Sequence, residues 1–173
     1  MLDQKPILEL IEEGKTVVGM RLDDDSWLAS IPAVPGWYFI ETNTPPKVFR
    51  AVDPPEEEGY DNIPAQATAV LAYRYFGVCV LPTEKNPSYI VCAGETKNLK
   101  ARAKTHMYGH PKAGGLALAA YPVLRNFGWR FLFSLCDFSE IPNESKLLRI
   151  AGIELWRSQY GWPILCGLPQ KYL

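Results

Sequence analysis

Apolar residues recur at helical spacing from the start of the chain. Across residues 3–14 (DQKPILELIEEG), Ile7, Leu10 and Ile11 mark one stripe and Gly14 stops it, which predicts a short amphipathic helix. Val17, Val18 and Met20 predict an edge strand. Asp23-Asp24-Asp25 reads as a solvated turn, because three consecutive side chains fan apart instead of converging on one ion. Pro35-Gly36 opens the strand Trp37-Tyr38-Phe39-Ile40. Alternation puts Trp37 and Phe39 on one face of it, Tyr38 and Ile40 on the other. The next connection is rich in proline and acid (TNTPP, DPPEEEGYDN) around the short apolar piece Val48-Phe49. Pro64–Phe76 predicts a helix with Asn62 as cap and Gly77 as stop, although Val70-Leu71 and Tyr73-Arg74-Tyr75-Phe76 also suit strands. Val78–Leu81 and Tyr89–Ala93 predict two further strands.

Gly94 breaks the second of these, and Thr96 or Asn98 can cap a helix carrying Lys97, Lys100, Arg102, Lys104 and His106. Arg102 and His106 are four apart and share one face, beside Leu99 and Ala103, the residues expected to pack inward. A guanidinium and an imidazole so placed suit a phosphate, while a solvated basic helix is the plainer reading of the same stretch. The loop GHPKAGG adds Lys112 and His110, and Leu116–Leu124 predicts a short helix interrupted by Pro122. Trp129–Cys136 (WRFLFSLC) predicts a strand. A helix capped by Asn143 then runs to about Tyr160, ended by Gly161 and Pro163. It is apolar nearly all round, through Leu147, Leu148, Ile150, Ala151, Ile153, Leu155 and Trp156, which puts Glu154 on the side expected to be buried. A buried carboxylate costs several kcal/mol unless met. Glu154 is therefore expected either to pair with an arginine such as Arg102 or to hold a metal at the edge of the core.

Composition narrows the class. A chain of 173 residues, 47% hydrophobic, fits one domain with an ample core, and no apolar stretch is long enough to span a bilayer. A soluble, cytoplasmic protein is expected. Cys79, Cys92, Cys136 and Cys166 form no C-x-x-C pair, which argues against a structural zinc site or a disulfide framework. The net charge of −1 hides an asymmetry: residues 1–88 carry 7 Lys+Arg against 14 Asp+Glu, residues 89–173 carry 11 against 5. A basic half of this kind can bind a polyanion.

Taken in order, these segments resemble the GIY-YIG nuclease superfamily. Gly36-Trp37-Tyr38 matches its first strand motif, and Gly94-Glu95-Thr96-x-Asn98-Leu99 the region after its second. Arg102 falls eight residues past Gly94, His106 four later, and Glu154 lies on the helix after the third strand. The resemblance covers residues 34–41 and 88–168. It implies an α/β (α+β) fold with a small, central, mostly antiparallel three-stranded sheet flanked by helices. The whole chain, 1–173, would then be a single domain, with 1–33 as an N-terminal extension and 42–88 as a long insertion. Two positions depart from the pattern. Cys92 stands where the second tyrosine is expected, and Cys166 where a late asparagine is expected. Tyr89, three residues from Cys92, should face the other way unless a bulge intervenes.

The resemblance implies phosphodiester hydrolysis in DNA with Mg²⁺ (or Mn²⁺). Glu154 would hold the metal, Arg102 would bind the scissile phosphate, and Tyr38 would activate the attacking water, with His106 as general base or proton relay. Lys97, Lys100, Lys104, Lys112, Arg125 and Arg130 would contact the DNA backbone. A restriction-type or mobile-element setting follows from the family, with targeting by homodimerisation or a partner protein. The alternative is a nucleic-acid-binding module that kept the fold and lost the chemistry at Cys92 and Cys166. A structural or partner-binding protein is a third reading.

Overall fold

In the computed structural model, described for residues 4–56, 61–83, 87–136 and 145–167, alternation in β2 (Gly36–Thr42) divides the core in two. Trp37 and Phe39 pack with Ile11, Ala93, Leu132, Ile153 and Trp156. Tyr38 and Ile40 pack with Phe131, Phe133, Cys92, Leu99, Ala103 and Met107. This is the period-two split expected of a strand buried on both faces. Helices α1 (Gln4–Glu13) and α5 (Ser145–Tyr160) supply the first side. The second side is covered by α2 (Pro46–Ala51), α3 (Ile63–Ala72), α4 (Leu99–Tyr108) and the segment between α4 and the last strand.

The sheet has four strands where three were expected, all antiparallel, in the order β1 (Thr16–Met20), β4 (Trp129–Leu135), β2, β3 (Tyr89–Thr96). The additional strand is β1: the apolar run of the N-terminal extension pairs with β4, Val17 opposite Leu132 and Val18 opposite Phe131. No helix among the described residues is long and apolar enough to cross a membrane.

Local chemistry explains most boundaries. Asn62 accepts the Ala65 N–H at 3.0 Å and starts α3, and Asn98 does the same for Ala101 at 2.9 Å to start α4. A 3-10 turn over Tyr73–Phe76 continues α3 until Gly77, at φ 78°, ends it. Residues 116–124 form two 3-10 turns, Leu118–Ala120 and Pro122–Asn126, because Pro122 cannot continue a helix and opens the second turn instead. The apolar piece Val48-Phe49 belongs to α2, begun by Pro46 and burying Phe49.

Three expectations are corrected. Val78–Leu81 forms no strand. Val80 makes one isolated bridge to Trp162, with Leu81 N–H bonded to Trp162 O and Trp162 N–H to Cys79 O. The outer edge of β3, where a further strand would pair, is taken by the segment after α5, whose Leu165 N–H bonds Val91 O at 2.8 Å. Second, the β2–β3 register shifts between Ile40 and Glu41, leaving Val91 bulged. The bulge turns Tyr89 to the Tyr38 side of the sheet, where its hydroxyl donates to Thr44 O at 2.6 Å.

Third, α5 buries Arg149, Gly152, Ile153 and Trp156, not the face carrying Leu147, Ile150 and Ala151. Leu147 is 67% exposed, and Glu154 lies on that outer face. Two contacts set the rotation. Trp37 lies against Gly152 and donates its indole N–H to Arg149 O at 2.9 Å, and Arg149 is neutralised by Glu95 at 2.8 Å. Asn143, expected to cap α5, lies outside the described residues.

Candidate active site

Two glycines allow Tyr38 to lie where it does. A Cβ on Gly36 would meet Ser134 O at 2.5 Å and Leu99 Cδ1 at 2.8 Å, so a bare Cα lets α4 close onto β2. A Cβ on Gly94 would come within 2.4 Å of the Tyr38 hydroxyl, whose ring crosses that residue. The phenol continues over β3 to α4. There its oxygen takes an N–H from Arg102 Nε at 3.1 Å and contacts His106 Nε2 at 3.1 Å. Phe131 stacks on the ring at 6.0 Å with an interplanar angle of 5°. Arg102 and His106 lie one turn apart on α4, as their spacing requires, and both reach the same oxygen.

Tyr38 and His106 are buried, whereas Arg102 is half-buried and is the member of the trio that reaches solvent. Its Nη1 donates to Ala113 O at 3.3 Å and its Nε to Tyr38, which leaves Nη2 bonded to neither. Burial pushes the His106 imidazole well below its usual range, reinforced by the Arg102 charge, and keeps it neutral at pH 7. Its Nδ1 is buried without a partner. A bare lone pair is cheaper to bury there than an unbonded N–H, so the proton belongs on Nε2, donating to Tyr38. The phenol oxygen then accepts from both α4 residues, leaving its own O–H to donate elsewhere. Burial raises the Tyr38 pKa, and Cys92 adds to the rise while Arg102 opposes it, so the free protein holds a phenol.

Glu154 does not join this trio. The side chain is 53% exposed, and its Oε1 accepts from Arg157 Nη1 at 2.6 Å, not from Arg102. The buried, Arg102-paired carboxylate expected from the apolar pattern is thus replaced by an i,i+3 surface pair. Arg157 connects it inward, donating from Nη2 to Ala93 O at 2.6 Å and standing 3.7 Å from Cys166 Sγ. Cys166 Sγ lies 4.0 Å from Cys92 Sγ. The two substituted motif positions therefore touch each other beside Tyr38. Among the described residues no group of three His, Cys, Asp or Glu side chains is arranged to hold a metal. Of the residues expected to hold a metal, Glu154 offers one carboxylate oxygen beyond the one that Arg157 binds.

Of the basic residues named above, Lys97, Lys100, Lys104 and Lys112 are exposed on or beside α4, with Lys112 next to the Ala113 carbonyl that Arg102 binds. Arg125 lines a separate cleft of about 590 Å³ with Met20, Arg21 and Trp129. Arg130 is on the α1–α5 side of the sheet, ion-paired with Glu41, Nε to Oε1 at 2.9 Å. It is therefore across the sheet from Tyr38. Two contributors escaped the sequence reading. Arg157 was legible only as an i,i+3 partner of Glu154. Asp61, from the connection between β2 and β3, accepts the Gly115 N–H at 3.2 Å and returns its own N–H to Gly115 O, pinning the loop that covers Arg102. Comparison with models of known protein families, with curated proteins and with solved structures finds no match to this chain.

Proposed function

We propose that the Tyr38–Arg102–His106 cluster binds a phosphodiester and that the protein is a divalent-metal-dependent endonuclease acting on DNA. The observation that carries this reading is the convergence of a guanidinium N–H and an imidazole nitrogen on one phenol oxygen. A buried tyrosine needs a single partner to be satisfied. Here it has two donors, and its own proton is left for a phosphate oxygen or a water. The order of elements supports the same reading: β2 with Gly36-Trp37-Tyr38, β3, α4 with Arg102 and His106, β4, then α5 with Glu154 follow the GIY-YIG sequence of parts.

In this reading Arg102 takes the scissile phosphate and balances charge as it develops on the non-bridging oxygens. Tyr38 would first release its phenol proton to solvent beside the Arg102 charge, then orient the attacking water and accept its proton, which restores the phenol. His106 positions that oxygen from a site too buried to charge. Glu154 would hold the cation, whose chemistry is stabilisation of the leaving 3′ oxygen. Lys97, Lys100, Lys104 and Lys112 take flanking phosphates without reading sequence.

A second reading, a binding module without catalysis, is favoured by the Glu154–Arg157 pair, which sets a cation where the metal would sit. Supercoiled plasmid with Mg²⁺ or Mn²⁺ separates the two. Nicking or linearisation is expected, reduced about 100-fold or more by Arg102→Ala and abolished by Glu154→Gln. Cleavage that survives both substitutions sinks the nuclease mechanism. Salt-sensitive DNA binding without cleavage by the unsubstituted chain selects the binding module.

A further inference from the structure

We propose that Cys92 and Cys166 form a redox-active dithiol, which a water-sized hydroperoxide converts reversibly into an intramolecular disulfide. Cys92 projects from β3, and Cys166 sits in the turn after α5 that Leu165 fastens to the outer edge of the same strand. Their sulfurs are 4.0 Å apart. A disulfide needs about 2 Å between them, a closure left to side-chain rotation because the turn holding Cys166 is already tied to the strand holding Cys92.

The surroundings divide the two sulfurs into an attacking and a resolving partner. Cys166 Sγ receives the Ala93 N–H at 3.2 Å, lies 3.3 Å from Ala93 O and faces the half-buried Arg157 guanidinium at 3.7 Å, whose Nη1 is paired with Glu154. Burial opposes ionisation of Cys166, but the Cys92 thiol, Arg157 and the Ala93 backbone outweigh it and move the thiol below its usual range. Cys92 is moved the other way, by its hydrogen bond with Cys166 and by burial, despite Arg102 and Arg157 nearby. The phenol of Tyr38 is the remaining titratable group against the pair. Cys166 is therefore the more readily ionised sulfur of the two, and Cys92 the one that stays a thiol.

The chemistry balances without further reagents. The Cys166 thiolate attacks one oxygen of hydrogen peroxide and the O–O bond breaks. The hydroxide released takes a proton to become water, leaving Cys166 as a sulfenic acid. The Cys92 sulfur then attacks the sulfenic sulfur. The S–OH bond breaks, a second water leaves with the Cys92 proton, and both sulfurs are oxidised. Cys92 is 4% and Cys166 5% exposed, which favours an oxidant of water's size over a bulky disulfide reagent. This chemistry holds whether or not Tyr38 and Arg102 serve a nuclease.

The full-length Cys79→Ser protein, which lacks the exposed thiol, is treated with excess hydrogen peroxide at neutral pH, then denatured, alkylated and mapped by mass spectrometry. Alkylatable thiols are expected to fall from three to one, with a Cys92–Cys166 cross-linked peptide that dithiothreitol removes. The oxidised protein should melt about 5 °C or more higher, because the bridge closes a long loop. A further Cys92→Ala substitution should stop the reaction at a Cys166 sulfenic acid trapped by dimedone. Absence of the cross-link, or a cross-link through Cys136 instead, overturns the proposal. Should Cys92→Ala fail to fold, Cys92→Ser in the Cys79→Ser background replaces it, and dimedone added on denaturation that marks Cys136 in place of Cys166 overturns the proposal.

Discussion

Tyr38 shows how little freedom a single side chain retains once its neighbours are fixed. Its ring is held by Phe131 on one side and by the bare Cα of Gly94 below, and its oxygen by Arg102 and His106. Gly94→Ala should push the phenol off both donors, since the new methyl carbon would sit 2.6 Å from Tyr38 Cζ. Overpacking of this kind costs about 1–3 kcal/mol, measurable as a lower urea midpoint with unchanged slope. His106 makes a prediction about pH. Its folded pKa lies well below 6.5, so below about pH 6.5 the unfolded chain takes up a proton that the folded protein refuses. Stability should therefore fall with acidification, by up to about 1.4 kcal/mol per pH unit until the folded pKa is reached. His106→Gln removes this component, and the stability–pH curve below pH 6 should flatten against that of the unsubstituted protein. An unaltered curve would mean that His106 is charged in the fold.

At the level of elements, the sequence was most informative where one period dominated. Strand alternation assigned Trp37, Tyr38, Phe39 and Ile40 to their faces, and the four-residue spacing brought Arg102 and His106 to one oxygen. It misled where a polar group was buried with its partner. In α5 an apolar tally favours Leu147, Ile150 and Ala151, but the helix turns Arg149 inward because Glu95 meets it and Gly152 admits Trp37. The bulge at Val91 is likewise a property of two strands together, invisible in either alone. The acidic, proline-rich connection between β2 and β3 has a concrete task at this scale. Asp61 fastens Gly115, His110 Nδ1 accepts the Lys112 and Ala113 N–H groups, and Ala113 O meets Arg102. Asp61→Ala should cost about 1 kcal/mol and speed hydrogen exchange across residues 110–115 while leaving β2 and β4 protected. Equal acceleration in the strands would assign Asp61 to the core instead of the loop.

Over the whole molecule, the question is how a chain of net charge −1 would hold a polyanion. Part of the acidic half is neutralised where it stands: Glu12 by Lys15, Asp23 by Arg21, Glu41 by Arg130. The basic side chains on and beside α4 are exposed, and Lys100 and Lys104 are one turn apart on it. A domain of this length has a radius of gyration of about 16 Å. At about 0.15 M salt the screening length is about 8 Å, so DNA at α4 feels the local lysines and little of the far acidic surface. At about 0.01 M it is about 30 Å, and the acidic half repels as well. On the nuclease or the binding-module reading, duplex affinity should fall steeply with salt above about 0.1 M yet flatten at low salt, unlike a uniformly basic protein. Lys100→Gln with Lys104→Gln should reduce the log–log salt slope by about 2, equally for unrelated sequences. Arg130→Gln, on the opposite side of the sheet and already paired, should leave the slope unchanged. Fluorescence anisotropy of labelled duplex across a salt series measures all three. A slope that responds to Arg130 and not to the α4 lysines would put the polyanion on the α1–α5 side and remove Tyr38 from the binding surface.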